Sequence, residues 1–313
     1  MTTYIIRRLL ILIPVVLGVS LIVFFIMRIG PGDPARLMLG PRATDEAVKS
    51  LRKKLGLDKP IYEQYIVYLK DLLQGNLGES IRSKTSVTSR IVSRLPATLE
   101  LTLFAFFITV VVGVTAGIIS AVWQYSIVDH VTMVAAMFWI SMPYFWLGLV
   151  LILLFSVQLN WLPIAGRSGH FWTASGIAHL ILPAFTLGAP QIAYITRLTR
   201  SNMLEVLNED YIRTARSKGL RERKVITKHA FRNATIALIT FLGMRVPWLF
   251  GGAVVTETIF AWPGMGRLMV QAVFKRDYPV VQGVVLLIAV IVVLSNLAVD
   301  ISYAYLDPRI RYD

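Results

Sequence analysis

Few residues of this 313-residue sequence have the types and spacing that enzymes use for chemistry. Ser168 and His170 lie close together in GRSGH, but a hydrolase nucleophile is expected in a GxSxG turn, which argues against a membrane-embedded hydrolase. The four histidines form no HExxH motif, and the chain has no cysteine to act as nucleophile or thiolate ligand. A GxxxxGK[ST] phosphate loop is also missing from the sequence. We therefore predict no catalytic residue, no metal site and no P-loop ATP hydrolysis in this chain.

Three charged residues inside or at the ends of apolar segments are the second set of candidates, in this case for the translocation pathway. A charged side chain in hydrocarbon costs at least ~2.5 kcal/mol unless it faces protein or water, so such a position is functional by default. Arg245, in FLGMRVPWLF, lies near the middle of its segment and either attracts a passing carboxylate or forms an internal ion pair. Glu257 lies at the end of the same segment, where the sequence does not separate a gate from a scaffold. Asp300 lies near the end of the last segment, where a structural role is favoured over a place in the pathway.

The densest group of charges lies in one loop, EDYIRTARSKGLRERKVITKHAFRNA. Between Arg197 and Arg232 the chain carries ten Lys or Arg and four Asp or Glu. We expect Asn208 to cap a short helix and Gly219 to end it in the left-handed conformation. A helix of about ten residues is too short to be stable in water, so it needs a surface to lie against. Tyr211, Ile212 and Ala215 would form its narrow apolar strip.

The elements that must position these residues are membrane helices. The chain is 56% hydrophobic and 16% charged, with a mean hydropathy of +0.64, which is too apolar for an ordinary soluble domain. Its net charge of +14 lies in loops between apolar runs, so we attribute it to lipid headgroups and topology and not to nucleic acid.

Hydropathy predicts an all-α polytopic membrane protein with six transmembrane helices. The predicted spans are Leu9–Ile29, Leu99–Trp123, Val131–Val157, Ile177–Leu198, Thr235–Thr258 and Pro279–Leu306. Pro143 falls inside the third span, as either a kink or a re-entrant break. The first span could be mistaken for a signal peptide, but its apolar run continues for about twenty residues with no small-x-small cleavage site, so we expect it to be retained.

Orientation follows from the Lys and Arg content of the short loops. With the N-terminus inside, the inner segments carry fourteen of these residues and the short outer loops four. The bias predicts a multi-pass protein of a prokaryotic cytoplasmic (inner) membrane with both termini in the cytoplasm. The domains that follow are 1–29 with the first helix, an outer segment 30–96, a core 97–306 containing the inner loop 199–234, and a tail 307–313.

The outer segment 30–96 is expected to be a small helical insertion. Thr44 can cap one helix that Gly56 ends, and Pro60 suits the start of a second helix that Gly75 ends. The second helix is expected to pack through one face, which consists of Tyr62, Tyr65, Ile66, Leu69 and Leu73.

The cationic loop resembles the coupling loop of ATP-binding-cassette (ABC) importer permeases, in which Glu-Ala-Ala is followed by three residues and Gly. Ala215 and Gly219 match this pattern, whereas Arg213 and Thr214 replace its first two residues. Together, EDYIRTARSKGL and KHAFRNA are similar to the dipeptide, oligopeptide and nickel branch. Segments that resemble the first permease subunit of that branch occur along nearly the whole chain: PGDPARLMLG, LGLDKPIYEQY, GNLGES, LPATLEL, ILPAFTLG, ETIFAWPGMGRL, RDYPVVQG and DPRIR.

This resemblance implies a type I ABC importer permease fold and a passive role in ATP hydrolysis. ATP and Mg²⁺ would bind to one or two cytoplasmic ATPase subunits, and no cofactor to this chain. The short helix would dock in a groove of the ATPase, with Ala215 and Gly219 in the packing contact. Tyr211 and Ile212 would add apolar area, and Arg213 and Arg216 would pair with ATPase carboxylates.

The resemblance also implies an extracytoplasmic binding protein and a second homologous permease subunit, with dipeptides or short oligopeptides as cargo. Nickel chelates, glutathione and other small solutes are the alternatives within the family, and a homodimer is the alternative to two different permeases. An ion-coupled secondary transporter is the alternative from another class. Such a transporter usually carries acids deep in several spans and an internal repeat. Neither is found here.

Overall fold

The computed structural model describes residues 2–29, 34–39, 43–54 and 56–306 of the chain. The described residues are mostly helical, and their only strand-like pairing is an isolated bridge between Glu79 and Ser86. In chain order the helices are α1 Thr2–Ile29, α2 Pro34–Leu39, α3 Asp45–Lys54, α4 Ile61–Leu73, α5 Val87–Val122, α6 Ile127–Ser141, α7 Tyr144–Leu151, α8 Ala174–Leu207, α9 Asp210–Ser217, α10 Glu222–Lys224, α11 Phe231–Ile259, α12 Met265–Phe274 and α13 Tyr278–Leu306. Two π-helical segments, Ile152–Gln158 and Val225–Ala230, follow α7 and α10. The predicted all-α class is confirmed.

Within the described residues, three helices are long and apolar enough to cross a membrane, namely α5, α8 and Tyr278–Val299 of α13. A fourth crossing is present if α6 and the segment Tyr144–Gln158 count as one span. Each of the six predicted spans overlaps a helix, although α1 contributes a shorter apolar stretch, Leu10–Phe25. The protein is therefore a multi-pass helical membrane protein with three to four clear spans.

The third predicted span is broken at Pro143. The axes of α6 and the segment after it differ by 111°, far more than a proline kink. Proline disfavours helical backbone in the residue before it, and Met142 is extended with φ −86° and ψ 129°. Of the two alternatives for Pro143, the structure therefore has the break.

The chain divides into two compact units, and the first comprises Met1–Ile5, Ala97–Pro263 and Val292–Asp313. Its core contains Leu101, Leu180, Leu187 and Trp262, all fully buried. The indole Nε1 of Trp262 donates a 2.7 Å hydrogen bond to the carbonyl of Ala97, which satisfies the one polar group of the buried ring.

Two glycines allow α5 and α8 to approach each other closely in this unit. A Cβ on Gly113 would lie 2.9 Å from Cγ2 of Ile195, and one on Gly117 would lie 2.5 Å from the Cβ of Thr199. The four-residue spacing of Gly113 and Gly117 places both on one face of α5, as in the small-residue contacts of membrane helices. No side chain larger than hydrogen fits at Gly117 without a shift of the neighbouring helix.

The second unit comprises Ile6–Pro96 and Gly264–Ile291. Its apolar cluster includes Val87, Ile91 and Leu268. The carboxylate of Asp277 is almost completely buried and accepts hydrogen bonds from the hydroxyl of Ser80 and the backbone N–H of Ile81, at 2.5 and 2.9 Å. This carboxylate ties the turn before α13 to the segment before α5.

The predicted helix boundaries of the segment 30–96 are confirmed where the structure describes them. The hydroxyl of Thr44 accepts from the N–H of Ala47 at 3.3 Å at the start of α3, and Pro60 directly precedes α4. Gly56 and Gly75 follow these two helices with φ of +63° and +74°, which only glycine adopts readily.

The predicted packing face of α4 is partly wrong. Tyr65 does face α1, with its ring 5.1 Å from that of Phe24 and its hydroxyl 2.9 Å from that of Ser20. Tyr68 contacts the same phenylalanine at 5.5 Å, whereas the expected face members Tyr62, Ile66 and Leu73 are exposed. The hydroxyl of Ser20 on α1 gives that of Tyr65 a hydrogen-bond partner, a long-range contact that the sequence of α4 does not contain.

Candidate functional sites in the cationic loop and the helical core

The short helix of the cationic loop is α9, Asp210–Ser217, and its N-cap is Glu209. The predicted cap at Asn208 is wrong, because Asn208 closes α8 instead, with its N–H on the carbonyls of Glu205 and Val206. Gly219 ends α9 with φ +74°, as predicted. The N–H of Gly219 bonds to Arg216 O, and the N–H of Leu220 bonds to Ala215 O, which is the Schellman pattern that requires a left-handed residue.

The inner face of α9 packs on the chain's own helices. Ile212 is fully buried and Ala215 is 7% exposed. Both belong to an apolar cluster with Met203 of α8, Val225 of the π-helical segment and Ala234 of α11. This packing supplies the tertiary support that an eight-residue helix requires.

The other four predicted site residues lie on the exposed face of α9 or directly after the helix. Tyr211, Arg213, Arg216 and Gly219 are all exposed. A Cβ on Gly219 would meet no atom within 4 Å, so the surface beside it is open. The hydroxyl of Tyr211 accepts a 2.6 Å hydrogen bond from Nδ2 of Asn233 at the start of α11.

The two exposed arginines of α9, Arg213 and Arg216, already form ion pairs within the cationic loop. Arg216 donates to both carboxylate oxygens of Glu222, at 2.7 and 3.2 Å, and Arg213 contacts Asp210 at 3.4 Å. The hydrogen bond from Arg216 lowers the pKa of the Glu222 carboxyl and raises the pKa of the guanidinium. A partner protein that pairs with Arg216 therefore competes with Glu222.

An ion pair beside this loop was not predicted from the sequence. Asp129, at the start of α6, is 3% exposed and accepts two 2.7 Å hydrogen bonds from Arg200 of α8. Ser120 of α5 and the backbone N–H of Tyr125 donate to the same carboxylate. The signal in the sequence is Ser126-x-x-Asp129, a helix start in which Ser126 caps α6 by accepting from the N–H of Asp129.

Of the three candidates for the translocation pathway, Arg245 and Glu257 are not brought together. Arg245 and Glu257 are twelve residues apart on α11, which is about 18 Å along a helix axis. Glu257 is fully buried and accepts a 2.6 Å hydrogen bond from Thr98 of α5. The guanidinium carbon of Arg245 lies over the rings of Tyr194 and Phe241, at 4.8 and 4.6 Å from their centroids. Asp300 lies in α13, but its side chain is outside the described residues.

Metal-binding groups are absent from the described part of the chain, where no three His, Asp or Glu side chains lie close enough to share an ion. The described residues instead offer exposed cations in the cationic loop, and charged side chains that are buried or partly buried between the helices.

Comparison with known proteins gives the class. Residues 113–312 match the family described as binding-protein-dependent transport system inner membrane component, and residues 1–102 match the N-terminal family of the same proteins. The chain therefore belongs to the family of ABC importer permeases. It is a membrane subunit and not a catalytic one, and ATP is hydrolysed on partner proteins.

Individual relatives span the whole chain. The di/tripeptide transport system permease protein DppB of Pseudomonas aeruginosa is 45% identical over 100% of this chain and 99% of its own length. The oligopeptide transport system permease protein AppB of Bacillus subtilis is 44% identical over 100% of both chains. The glutathione transport system permease protein GsiC of Escherichia coli is 45% identical, also over 100% of both.

Solved structures show the same fold at low identity. The permease chain of the MetNI methionine ABC transporter, in an inward-facing conformation, matches with a TM-score of 0.57 and 18% identity, over 69% of this chain and 96% of its own. An amino acid ABC transporter crystallised with histidines matches with a TM-score of 0.53 and 16% identity, over 70% and 94% of the two chains. The predicted family and permease fold are confirmed.

Proposed function

We propose that this permease carries dipeptides or short oligopeptides across the cytoplasmic membrane. Relatives named for di/tripeptides and for oligopeptides cover the whole chain, and this observation carries the proposal. A relative named for glutathione, itself a small peptide, is equally similar, so glutathione is the main alternative cargo, with nickel chelates and other small solutes behind it.

The transporter would contain this chain, a second homologous permease, one or two cytoplasmic ATPases with ATP and Mg²⁺, and an extracytoplasmic binding protein. The permease pair would be a heterodimer surrounded by lipid. Six helices would cross the membrane, with both termini in the cytoplasm and the segment 30–96 outside.

The coupling step would run through α9. Tyr211, Arg213, Arg216 and Gly219 are exposed and would contact the ATPase. Ile212 and Ala215 were expected to join this contact, but both pack in the chain's own core, so we assign them to anchoring α9 on α8 and α11. A push on the exposed side of α9 would then move the helices to which its buried side is fixed.

Glu257 would act as a scaffold of the helical core and not as a cargo contact. Its complete burial and its hydrogen bond from Thr98 support this role. Asp300 and Arg245 stay candidates for the translocation pathway.

Uptake by purified components tests the cargo assignment. The complete transporter is reconstituted in proteoliposomes with ATP on the ATPase side, and labelled dialanine, glutathione and a nickel chelate are offered in turn with the binding protein. We expect ATP-dependent uptake of dialanine, and none when the ATPase subunits are left out. Uptake of glutathione or of the nickel chelate without uptake of dialanine would contradict the assignment to dipeptides and short oligopeptides. Uptake without ATPase subunits would contradict the mechanism.

A further inference from the structure

The guanidinium of Arg245 lies in an aromatic cage at the middle of α11. It is the fifteenth of the 29 residues of this helix. Phe241, Tyr194 and Trp248 have ring centroids 4.6, 4.8 and 5.9 Å from its guanidinium carbon. Aromatic faces attract a cation and hold it in place without neutralising its charge.

The cage leaves the hydrogen-bonding edge of Arg245 unused. A guanidinium has five N–H donors in its plane, and ring faces take none of them in a normal hydrogen bond. Among the described residues, no carboxylate or other acceptor forms an ion pair or hydrogen bond with Arg245. A partly buried guanidinium in this condition favours an anion with two parallel acceptors, because the planar edge matches a carboxylate.

A buried acceptor lies in the same neighbourhood. Gln191 lies three residues before Tyr194 on α8, so its side chain lies on the same face of that helix as the ring that contacts Arg245. The side chain of Gln191 is 4% exposed, and its Oε1 accepts no hydrogen bond from any described residue. A buried unpaired acceptor is costly, so it favours a ligand with an N–H donor.

A proline lies beside Gln191, near Arg245 and before α7. Pro143 marks the break before α7, whereas Pro190 and Pro247 lie inside the continuous helices α8 and α11. Pro143 precedes Tyr144, Pro190 precedes Gln191, and Pro247 follows Arg245 by two positions. Each proline frees a backbone carbonyl that needs a partner. Transporters place binding sites for polar cargo at discontinuous helices, and the break before α7 is one such discontinuity.

The cage is open on one side. Trp248 is 65% exposed and Tyr194 is 38% exposed, so a ligand can reach Arg245 from the surface of this chain. A cation, an acceptor and an open side together match the end of a peptide, which offers a carboxylate and, next to it, an amide N–H.

We propose that Arg245 binds the free carboxylate of the cargo during its passage and that Gln191 accepts a hydrogen bond from the adjacent amide N–H. The inference rests on the proposed function, since it takes the cargo to be a peptide. It makes Arg245 a specificity-determining residue for cargo with a free carboxylate, separate from any selection by the binding protein.

Paired substrates test the inference in proteoliposomes that contain the complete transporter. Uptake of dialanine is compared with uptake of dialanine amide, each at a concentration that saturates the binding protein. We expect the wild-type transporter to favour the free acid by about tenfold, the effect of one charge-assisted hydrogen bond. Arg245→Gln should bring the ratio close to one, and Arg245→Lys should keep an intermediate ratio.

Arg167→Gln is the matched control, since Arg167 lies in the same unit but pairs with Glu100 on the surface. It should leave the acid-to-amide ratio unchanged. A wild-type ratio near one, or an Arg245→Gln variant that slows both substrates equally, would overturn the inference while leaving peptide transport intact. If Arg245→Gln instead separates the permease subunits in size-exclusion chromatography, the carboxylate belongs to the second subunit and the inference fails. A wild-type transporter that imports no peptide would contradict the proposed function itself.

Discussion

Asp129 is held by four donors and has almost no contact with solvent. Two of the donors are N–H groups of Arg200, in the bidentate geometry that gives the strongest ion pairs. Removing one partner of a buried pair leaves the other charge without compensation. We therefore expect Asp129→Asn to destabilise the folded chain by about 3 kcal/mol or more, measured as a lower unfolding temperature of the purified complex.

A second bidentate pair provides the control. Arg167 donates to both carboxylate oxygens of Glu100 at 2.7 and 2.8 Å, but its side chain is 30% exposed. Glu100→Gln should cost less, about 1 kcal/mol, because water replaces the lost partner. Equal losses of stability in the two variants would show that the buried pair of Asp129 stabilises the chain no more than the exposed pair does.

The sequence predicted individual residues well where their role depends on near neighbours. Thr44, Gly56, Gly75 and Gly219 all cap helices as expected, because caps depend on a few adjacent residues. The pair of Asp129 and Arg200 joins residues 71 positions apart, and no local pattern contains that information. The prediction of Asn208 as the cap was wrong because the helix could begin at any of three successive polar residues, 208–210, and the cap is Glu209.

At the scale of elements, the contact between α5 and α8 depends on Gly117. A Cβ at this position would lie 2.5 Å from the Cβ of Thr199 and 2.7 Å from the carbonyl of Thr196. Neither atom is the end of a flexible side chain, so the helices must move apart. We expect Gly117→Ala to lower stability by about 1–3 kcal/mol, the usual cost of overpacking, and to lower the unfolding temperature of the complex.

Gly251 in α11 is the matched control for this substitution. It is also a helical glycine, but an added Cβ would meet no atom within 4 Å. Gly251→Ala should be neutral or stabilising by up to about 1 kcal/mol, because alanine is the better helix former. If Gly117→Ala proves as harmless as Gly251→Ala, the close approach of α5 and α8 is not what holds them together.

A different glycine tests the role of α9. Gly219 lies in open space, so a side chain there disturbs the chain itself only through backbone strain of about 1–2 kcal/mol. We expect Gly219→Leu to leave membrane insertion intact and to uncouple ATP hydrolysis from uptake, because the side chain would enter the surface offered to the ATPase. The measurement is uptake per ATP hydrolysed in proteoliposomes.

Asparagine separates strain from bulk at this position, since it tolerates the left-handed conformation. Gly219→Asn should retain more coupling than Gly219→Leu. Normal uptake together with normal ATPase association in the leucine variant would remove Gly219 from the contact.

Hydropathy predicted the existence of the helices correctly where the apolar run is long. It predicted bends and the direction of side chains less well, because tertiary contacts determine them. Each predicted span overlaps a helix, because a membrane span has to satisfy its backbone internally. The 111° break at Pro143 was one of two open alternatives, since a proline alone does not fix a bend angle. The inward direction of Ile212 and Ala215 could not be predicted, because a short apolar strip fits its own chain as well as a partner.

At the scale of the whole molecule, the predicted topology can be tested without background labelling, because the chain has no cysteine. Ser217 in α9 and Ser83 before α5 are both exposed and suit single substitution. We expect an impermeant maleimide to label Ser83→Cys in intact cells and to reach Ser217→Cys only after the membrane is opened. Labelling of Ser217→Cys in intact cells would place α9 outside and contradict coupling to a cytoplasmic ATPase.

The burial of α8 bears on how the chain enters the membrane during synthesis. Two-thirds of its apolar window, 67%, is buried inside the protein, against 28% for α5 and for α13. Its hydropathy is also the lowest of the three, 1.3 against 2.4 and 2.6. Insertion into lipid depends on the hydrophobicity of the emerging segment, so α8 would be the least able of the three to leave the translocon unaided. Helices synthesised before α8 would have to remain next to the translocon, so that α8 can pack against protein and not only against lipid.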